Sequence, residues 1–306
     1  MDLELDGKTA ILTGGSKGIG KATAMELARE GVDLAICSRG SDALENAAAE
    51  VGQATGRRVV PIAADVTDRA SVETMVERAA SDLGRIDILV NNAAMPGGLV
   101  MGPLAEAQDE DLMADLNTKV LGYLRCARAA APHMQLNGWG RIVNIAGLAA
   151  RSGGSISGMR NAAVVHLTKT LSAELGPHGI TVNTIHPGTT RTERSGPAYE
   201  EERAARQGVS VEEVERGVAE GIAIRRIVDA REIAYLVAFL VSPKAEAITG
   251  EAIAAGGGAG LSVFCKSGRP GRGLRYVRLV KVVARLGEVL MNVIVIVNDS
   301  FRRDRL

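Results

Sequence analysis

Two textures alternate along the first 260 residues of this chain. Short apolar or β-branched runs give way to longer Ala-rich runs of helical period. The runs Thr9–Leu12, Asp33–Cys37, Val59–Ala63, Ile86–Val90, Arg141–Ile145, Thr181–Ile185 and Glu251–Ala254 predict strands, with helices between them. In one helix Ala163, Leu167, Leu171 and Leu175 recur every four positions and predict a buried face. Tyr235, inside the apolar helix after Asp229, is expected in the core. Asp229 with Glu232, and Ser210 with Glu213, have the spacing of a capping box. Strands alternating with helices imply βαβ units and a parallel sheet, and right-handed crossovers put helices on both of its faces. The expected fold class is therefore α/β, doubly wound, without internal repeats.

The texture breaks near Gly260. The loop AGGGAG closes the body, and SGRPGRG reads as a linker. Residues 1–262 form one expected domain, and 263–306 a basic, poorly packed C-terminal extension. Within the extension Leu274–Leu290 reads as a basic amphipathic helix, with Arg275, Arg278, Lys281 and Arg285 on one side. Such a helix would suit an anionic membrane or a partner. The alternative is an appendage not shaped as a folded element, whose uncharged run Met291–Val297 would be an aggregation hazard if exposed.

Charge sharpens that division. Lys+Arg and Asp+Glu both number 36, yet Lys266 to Leu306 holds ten basic and three acidic residues, leaving −7 on the body. An acidic body gives no reason to expect nucleic-acid binding. Aromatics are 3%, so the core must be aliphatic. Cys37, Cys126 and Cys265 match neither a metal spacing nor a disulfide framework, and a reducing cytoplasm suits them. The N-terminus lacks a signal-like apolar stretch, and no apolar run reaches the roughly 18–20 residues of a membrane span.

The strongest candidate site is TGGSKGIG (13–20), between the first strand and first helix. A helix N-terminus offers unpaired N–H groups and partial positive charge to a pyrophosphate. Gly14 would permit the tight turn, Gly18 the approach of phosphates, and Gly20 close helix–strand packing. The second strand ends in Cys37-Ser38-Arg39. An acidic residue at this tip would suit a ribose 2′-hydroxyl; Arg39, with Lys17, suits a 2′-phosphate. NADP(H) is thus favoured over NAD(H).

From these residues the chain is identified as resembling the short-chain dehydrogenase/reductase family. TGGSKGIG is similar to its TGxxxGxG loop, Ala64-Asp65-Val66 to its adenine-contacting strand end, and Asn91-Asn92-Ala93-Ala94 to its NNAG element. Asn117 matches a structural and catalytic Asn, Pro187-Gly188 through Thr192 match PGxxxT, and AITGEAIAAGGG resembles the last strand. The resemblance covers residues 1–260. It implies a seven-stranded Rossmann sheet and hydride transfer between NAD(P) and a carbonyl or alcohol, in a homodimer or homotetramer. The cofactor residues it implies are Gly14, Ser16, Lys17, Gly18, Ile19, Gly20, Ser38, Arg39, Asp65, Val66, Asn92, Ala93, Ala94, Pro187, Gly188, Thr190 and Thr192.

The catalytic set departs from that pattern. Where the family carries Ser after the fifth strand this chain has Gly147, and where it carries Tyr-x-x-x-Lys the helix anchor AAVVHLTKTL aligns Ser157 and Asn161. Ser157 is too weak an acid to replace Tyr, and Arg160 has no transferable proton near neutral pH. Ser152 and Ser155 offer hydroxyls, Tyr199 after PGxxxT is either a substitute acid or a residue that packs a lid or contacts substrate, and His186 suits a proton shuttle if it is not merely hydrogen-bonded locally. His166 is assigned to a packing surface. Three readings stay open: an NADP-dependent oxidoreductase with a degenerate centre, an inactive NADP-binding sensor or scaffold, and a non-redox enzyme reusing the fold.

Overall fold

The structure, a computed structural model, describes residues 1–95, 98–100, 103–151, 155–193, 201, 204–205 and 208–259, together with the strands at 276–286 and 289–299. The chain divides into two units, Met1–Ser267 and Gly268–Leu306.

The first unit opens with β1 (Thr9–Thr13), α1 (Gly18–Arg29), β2 (Asp33–Ser38), α2 (Asp42–Thr55), β3 (Val59–Ala63), α3 (Arg69–Leu83) and β4 (Ile88–Asn91). It continues with α4 (Asp109–Leu116), a π-helical turn (Asn117–Leu121), α5 (Gly122–Asn137), β5 (Gly140–Ile145), α6 (Gly158–Leu175) and β6 (Ile180–Pro187). After β7 (Thr190–Arg191) come α7 (Val211–Glu220), β8 (Val228–Asp229), α8 (Ala230–Leu240) and β9 (Ala252–Ala255). Seven strands form one sheet in the order β3-β2-β1-β4-β5-β6-β9, parallel throughout. Each expected strand is present, displaced by at most two residues at an end.

Alternation along the strands divides the core in two. Leu12, Ile36 and Val90 face one side with Leu27 and Val237, whereas Ile11, Ala35 and Leu89 face the other with Val76 and Cys126. Because helices cover both faces, the strands read as nearly unbroken apolar runs. The two capping boxes form as expected, Ser210 with Glu213 on α7 and Asp229 with Glu232 on α8.

Three expectations are corrected. The buried stripe of α6 is Asn161, Val164, Thr168, Ser172 and Leu175; of the anticipated apolar residues only Leu175 is buried. The sheet under α6 is polar: Asn91 Nδ2 donates to Asn144 Oδ1 (2.9 Å), Asn144 Nδ2 to Thr168 Oγ1 (2.9 Å), and Thr168 pairs with Thr184 (2.6 Å). Polar side chains bury readily when their partners are supplied. Tyr235 is 48% exposed, because α8 turns Ile233, Ala234, Val237 and Ala238 inward instead. In the second unit, the anticipated basic helix is an antiparallel hairpin of β10 (Tyr276–Leu286) and β11 (Val289–Asp299), paired from Tyr276↔Asp299 to Leu286↔Val289. The density of Val and Ile there favours a pleated backbone over a helix. Among the described residues no helix is long and apolar enough to cross a membrane.

Candidate cofactor and catalytic site

The loop after β1 is pinned from both sides. The amides of Gly14 and Gly15 donate to Cys37 O at the end of β2 (2.7 and 3.1 Å). On the β4 side Thr13 Oγ1 accepts from the amides of Asn92 (3.0 Å) and Ala93 (3.1 Å). Asn92 Nδ2 donates back to the carbonyls of Thr13 and Gly14, each at 3.1 Å. This is the point where strand order reverses, between β1 and β4, and where a doubly wound sheet opens a crevice. Glycine is required here: a Cβ on Gly14 (φ +69°) would meet Asn92 Nδ2 at 2.8 Å, and one on Gly20 would lie 2.1 Å from Gly14 O. Gly18 has room for a Cβ, facing only the Thr192 side chain at 3.7 Å, but its φ of +62° still favours glycine. Its amide, at the start of α1, donates to Glu193 Oε1 at 2.6 Å. An acceptor anion therefore already fits the position where a phosphate would be expected.

The remaining cofactor candidates surround this loop on the carboxyl edge of the sheet. Lys17 and Arg39 are exposed, Ser16 and Ile19 half-buried, and Ser38 Oγ donates to Gly40 O (3.1 Å). Asp65 accepts from the Thr67 amide (2.9 Å) and Oγ1 (2.8 Å). The Thr67 amide bond is the chief cause holding the Asp65 carboxyl below its ordinary range, and nearby Arg39 and Arg125 act in the same direction. Val66 packs beneath Gly122, and Ala94 continues the half-buried segment after Asn92. Pro187 ends β6, Thr190 Oγ1 donates to Gly188 O (3.0 Å), and Thr192 lies against Gly18. The Gly18 amide at the head of α1, which already holds a carboxylate, fits the phosphate of a dinucleotide.

At the carboxyl end of β5 the chemistry is different. Ser157 is buried; its Oγ donates to Asp115 Oδ2 (2.5 Å) and accepts from the Val100 amide (2.9 Å). Asp115 also takes Arg160 Nη1 (2.7 Å) and the Leu99 amide (2.9 Å), while Arg160 Nη2 donates to Met95 O (2.8 Å). Ser157 and Arg160 are thus held in a buried polar network that ties α6 to α4 and the segment around residue 99. Asn161 is buried too, and its Oδ1 accepts from Lys119 Nζ (2.9 Å), which also donates to Ala146 O (2.8 Å).

Lys119 escaped the sequence reading. Its neighbours in the turn Asn117–Leu121 are half-buried or exposed, so the only signal was its position two residues after Asn117. Burial pushes its pKa down to about 7; Arg160 acts in the same direction and Asp115 against it. Asn117 Oδ1 itself accepts from Arg125 Nη2 (2.9 Å). His186 Nδ1 sits 2.8 Å from Gly147 O, and burial chiefly lowers its pKa to about 4, so it is a neutral, locally bonded imidazole near pH 7. Ser155 Oγ donates to Val100 O (3.1 Å), and His166 is exposed on α6. Tyr199 and Ser152 lie outside the described residues. Cys37 and Cys126 are buried free thiols, and among the described residues no cluster of His, Cys, Asp or Glu is arranged to hold a metal.

Comparison with known proteins finds relatives over nearly the same span. A family model described as enoyl-(acyl carrier protein) reductase matches residues 14–260. The NADPH-dependent reductase BacG of Bacillus subtilis is 34% identical over 260 residues, covering 84% of this chain and 99% of its own. The short-chain reductase protein NovJ of Streptomyces niveus is 36% identical over 251 residues, 81% of this chain and 92% of its own. The L-sorbose reductase of Gluconobacter frateurii, solved with NADPH and L-sorbose, superimposes with a TM-score of 0.80 at 32% identity, covering 85% of this chain and 98% of that one. With the sheet order, the glycine loop and these relatives in agreement, the chain belongs to the short-chain dehydrogenase/reductase family of oxidoreductases.

Proposed function

We propose that this protein binds NADP(H) in preference to NAD(H) and interconverts a small carbonyl compound and its alcohol, through a centre that lacks the usual proton-donating Tyr and its Lys. The observation that carries the cofactor reading is the pinned loop at 13–15, with the Gly18 amide taking an anion at the head of α1. Gly14 to Gly20 would hold the pyrophosphate, and Lys17 and Arg39 a 2′-phosphate. Ser38, Asp65 and Val66 would border the adenosine. Asn92 to Ala94 and Pro187 to Thr192 would border the nicotinamide end. The bound cofactor supplies the hydride; the protein must orient the carbonyl, exclude water and provide for the charge that develops on oxygen. NADPH named with the relatives BacG and L-sorbose reductase supports the same preference.

A second reading, an NADP(H)-binding sensor or scaffold without turnover, is favoured by one observation: Ser157 is sealed against Asp115 and has no free hydroxyl to offer. Two measurements separate the readings. Fluorescence titration should show NADPH binding more tightly than NADH, with the ratio falling about ten- to a hundredfold in Arg39→Ala, the magnitude of a charge-assisted contact. Equal affinities would reject the cofactor assignment. NADPH oxidation across a panel of ketones and aldehydes should then be measurable but slow, since positioned acid–base catalysis contributes roughly 10²–10⁴-fold. Binding with no turnover on any carbonyl would select the sensor reading.

A further inference from the structure

Lys119 is 4% exposed, yet neither of its hydrogen-bond acceptors is an anion: one is the carbonyl of Ala146, the other the amide oxygen of Asn161. A buried ammonium is costly to keep unless something uses its charge. It has one consequence visible in the geometry. An ammonium can only donate, so the Asn161 amide must turn its oxygen toward Lys119 and its Nδ2 away. Nδ2 then faces Gly147, where a Cβ on the glycine would come within 3.1 Å of it. No described residue accepts a hydrogen bond from Nδ2. A donor polarised from behind by a cation thus points to the one place at the end of β5 from which a side chain is missing.

We propose that Lys119 and Asn161 form an oxyanion seat, in which Asn161 Nδ2 donates to a carbonyl, alkoxide or carboxylate oxygen over Gly147 and Lys119 supplies the charge that strengthens the bond. Lys119 acts through Asn161 and is a positioning residue; Asn161 touches the ligand. Preorganised donors of this kind stabilise negative charge where water is excluded. The seat deepens the reductase reading, because it would receive the carbonyl oxygen, but binding at the seat does not need turnover.

The charge on Lys119 is set by what surrounds it. Asp115 of α4 favours the ammonium and Arg160 of α6 opposes it, while His186 of β6 is neutral at this pH and Tyr123 of α5 is occupied with Ile145 O. With a pKa pushed down to about 7, Lys119 loses its proton just above neutrality. The seat should weaken there.

Acetate is the probe, followed on the full-length protein by saturation-transfer NMR with and without NADPH. K119M and N161A should each weaken acetate binding about tenfold or more, the size of a lost charge-assisted hydrogen bond, while NADPH affinity changes little. Wild-type acetate affinity should fall as pH rises from 6.5 to 8.5 through the Lys119 pKa of about 7, and K119R, which keeps its charge, should flatten that profile. Failure of wild type to bind acetate, or equal binding by K119M, would overturn the seat. So would a pH profile that persists in K119M. Loss of NADPH binding and of the folded circular-dichroism spectrum in both K119M and N161A would show a merely structural strut and also overturn it. Acetate results as expected, with no carbonyl reduced, would reject the reductase reading and leave the seat standing.

Discussion

The Glu193 carboxylate and the Gly18 amide meet at 2.6 Å, so the first free donor of α1 is engaged by the chain's own anion. A pyrophosphate bound at this helix end would need the same amide. Glu193 is exposed and one residue beyond Thr192, so it can be displaced at modest cost. Glu193→Gln should tighten NADPH about two- to fivefold at low salt, in keeping with the small worth of exposed charge contacts. The gain should shrink as salt rises. Unchanged or weaker binding would mean that Glu193 does not compete with the cofactor.

On the proposed reading Ser157 and Asn161 stand where the family carries Tyr and Lys, and putting Tyr and Lys at those two positions should fail here. Ser157 is 1% exposed and bonded to Asp115, and its Cβ lies 2.3 Å from where a Cβ on Gly98 would sit. Ser157→Tyr must overfill that space and break the Asp115 network, at a cost of about 1–3 kcal/mol or more. Asn161→Lys would set a second ammonium against Lys119. Sequence alignment by itself suggests that the double substitution outperforms Ser157→Tyr; the packing argues that both unfold at lower denaturant and neither gains activity. Urea melts with the NADPH oxidation assay decide it, and a stable, more active double variant would refute the packing argument.

His186 should make stability sensitive to acid. Its folded pKa of about 4 lies below the ordinary value of 6.5, chiefly through burial. Between those values the unfolded chain binds more protons than the native one. Stability therefore rises with pH across this window and is lost as pH falls from about 6.5 to 4. The loss should be of order 1–3 kcal/mol. His186→Gln should remove this part of the slope in urea melts at pH 7 and pH 4.5. Parallel slopes in variant and wild type would show that the imidazole is not the titrating group.

Removing residues 268–306 should leave the first unit folded and competent for NADPH. The seven-stranded sheet is complete at Ala255, within Met1–Ser267. The truncated chain should keep the full-length melting temperature and cofactor affinity. A truncation that aggregates or loses NADPH would show that the hairpin unit supports the first.

The glycine-rich turn after β1 was legible because its requirements are local. A strand, a glycine-rich turn and a helix must follow one another within a few residues, and the steric reasons for Gly14 and Gly20 are met by their own loop and its neighbour at Asn92. The face of α6 was not legible, since Thr168 buries only because Asn144 and Thr184 wait beneath it on other strands. The strand Tyr276–Leu286 was not legible, because Arg275, Arg278, Lys281 and Arg285 repeat at helical spacing although the Val and Leu between them suit a strand.

By itself the sequence determined the strand pattern, the glycine-rich turn at 13–20 and the residue types at positions 157 and 161. Each of these depends on residue type and short-range spacing. Only the tertiary structure decided what Ser157 and Asn161 touch. Asp115 reaches Ser157 and Lys119 reaches Asn161 across 42 residues in each case. The lowering of the Lys119 pKa to about 7 likewise comes from burial. Burial and pairing across such separations arise when helices dock on the sheet, so no local pattern encodes them.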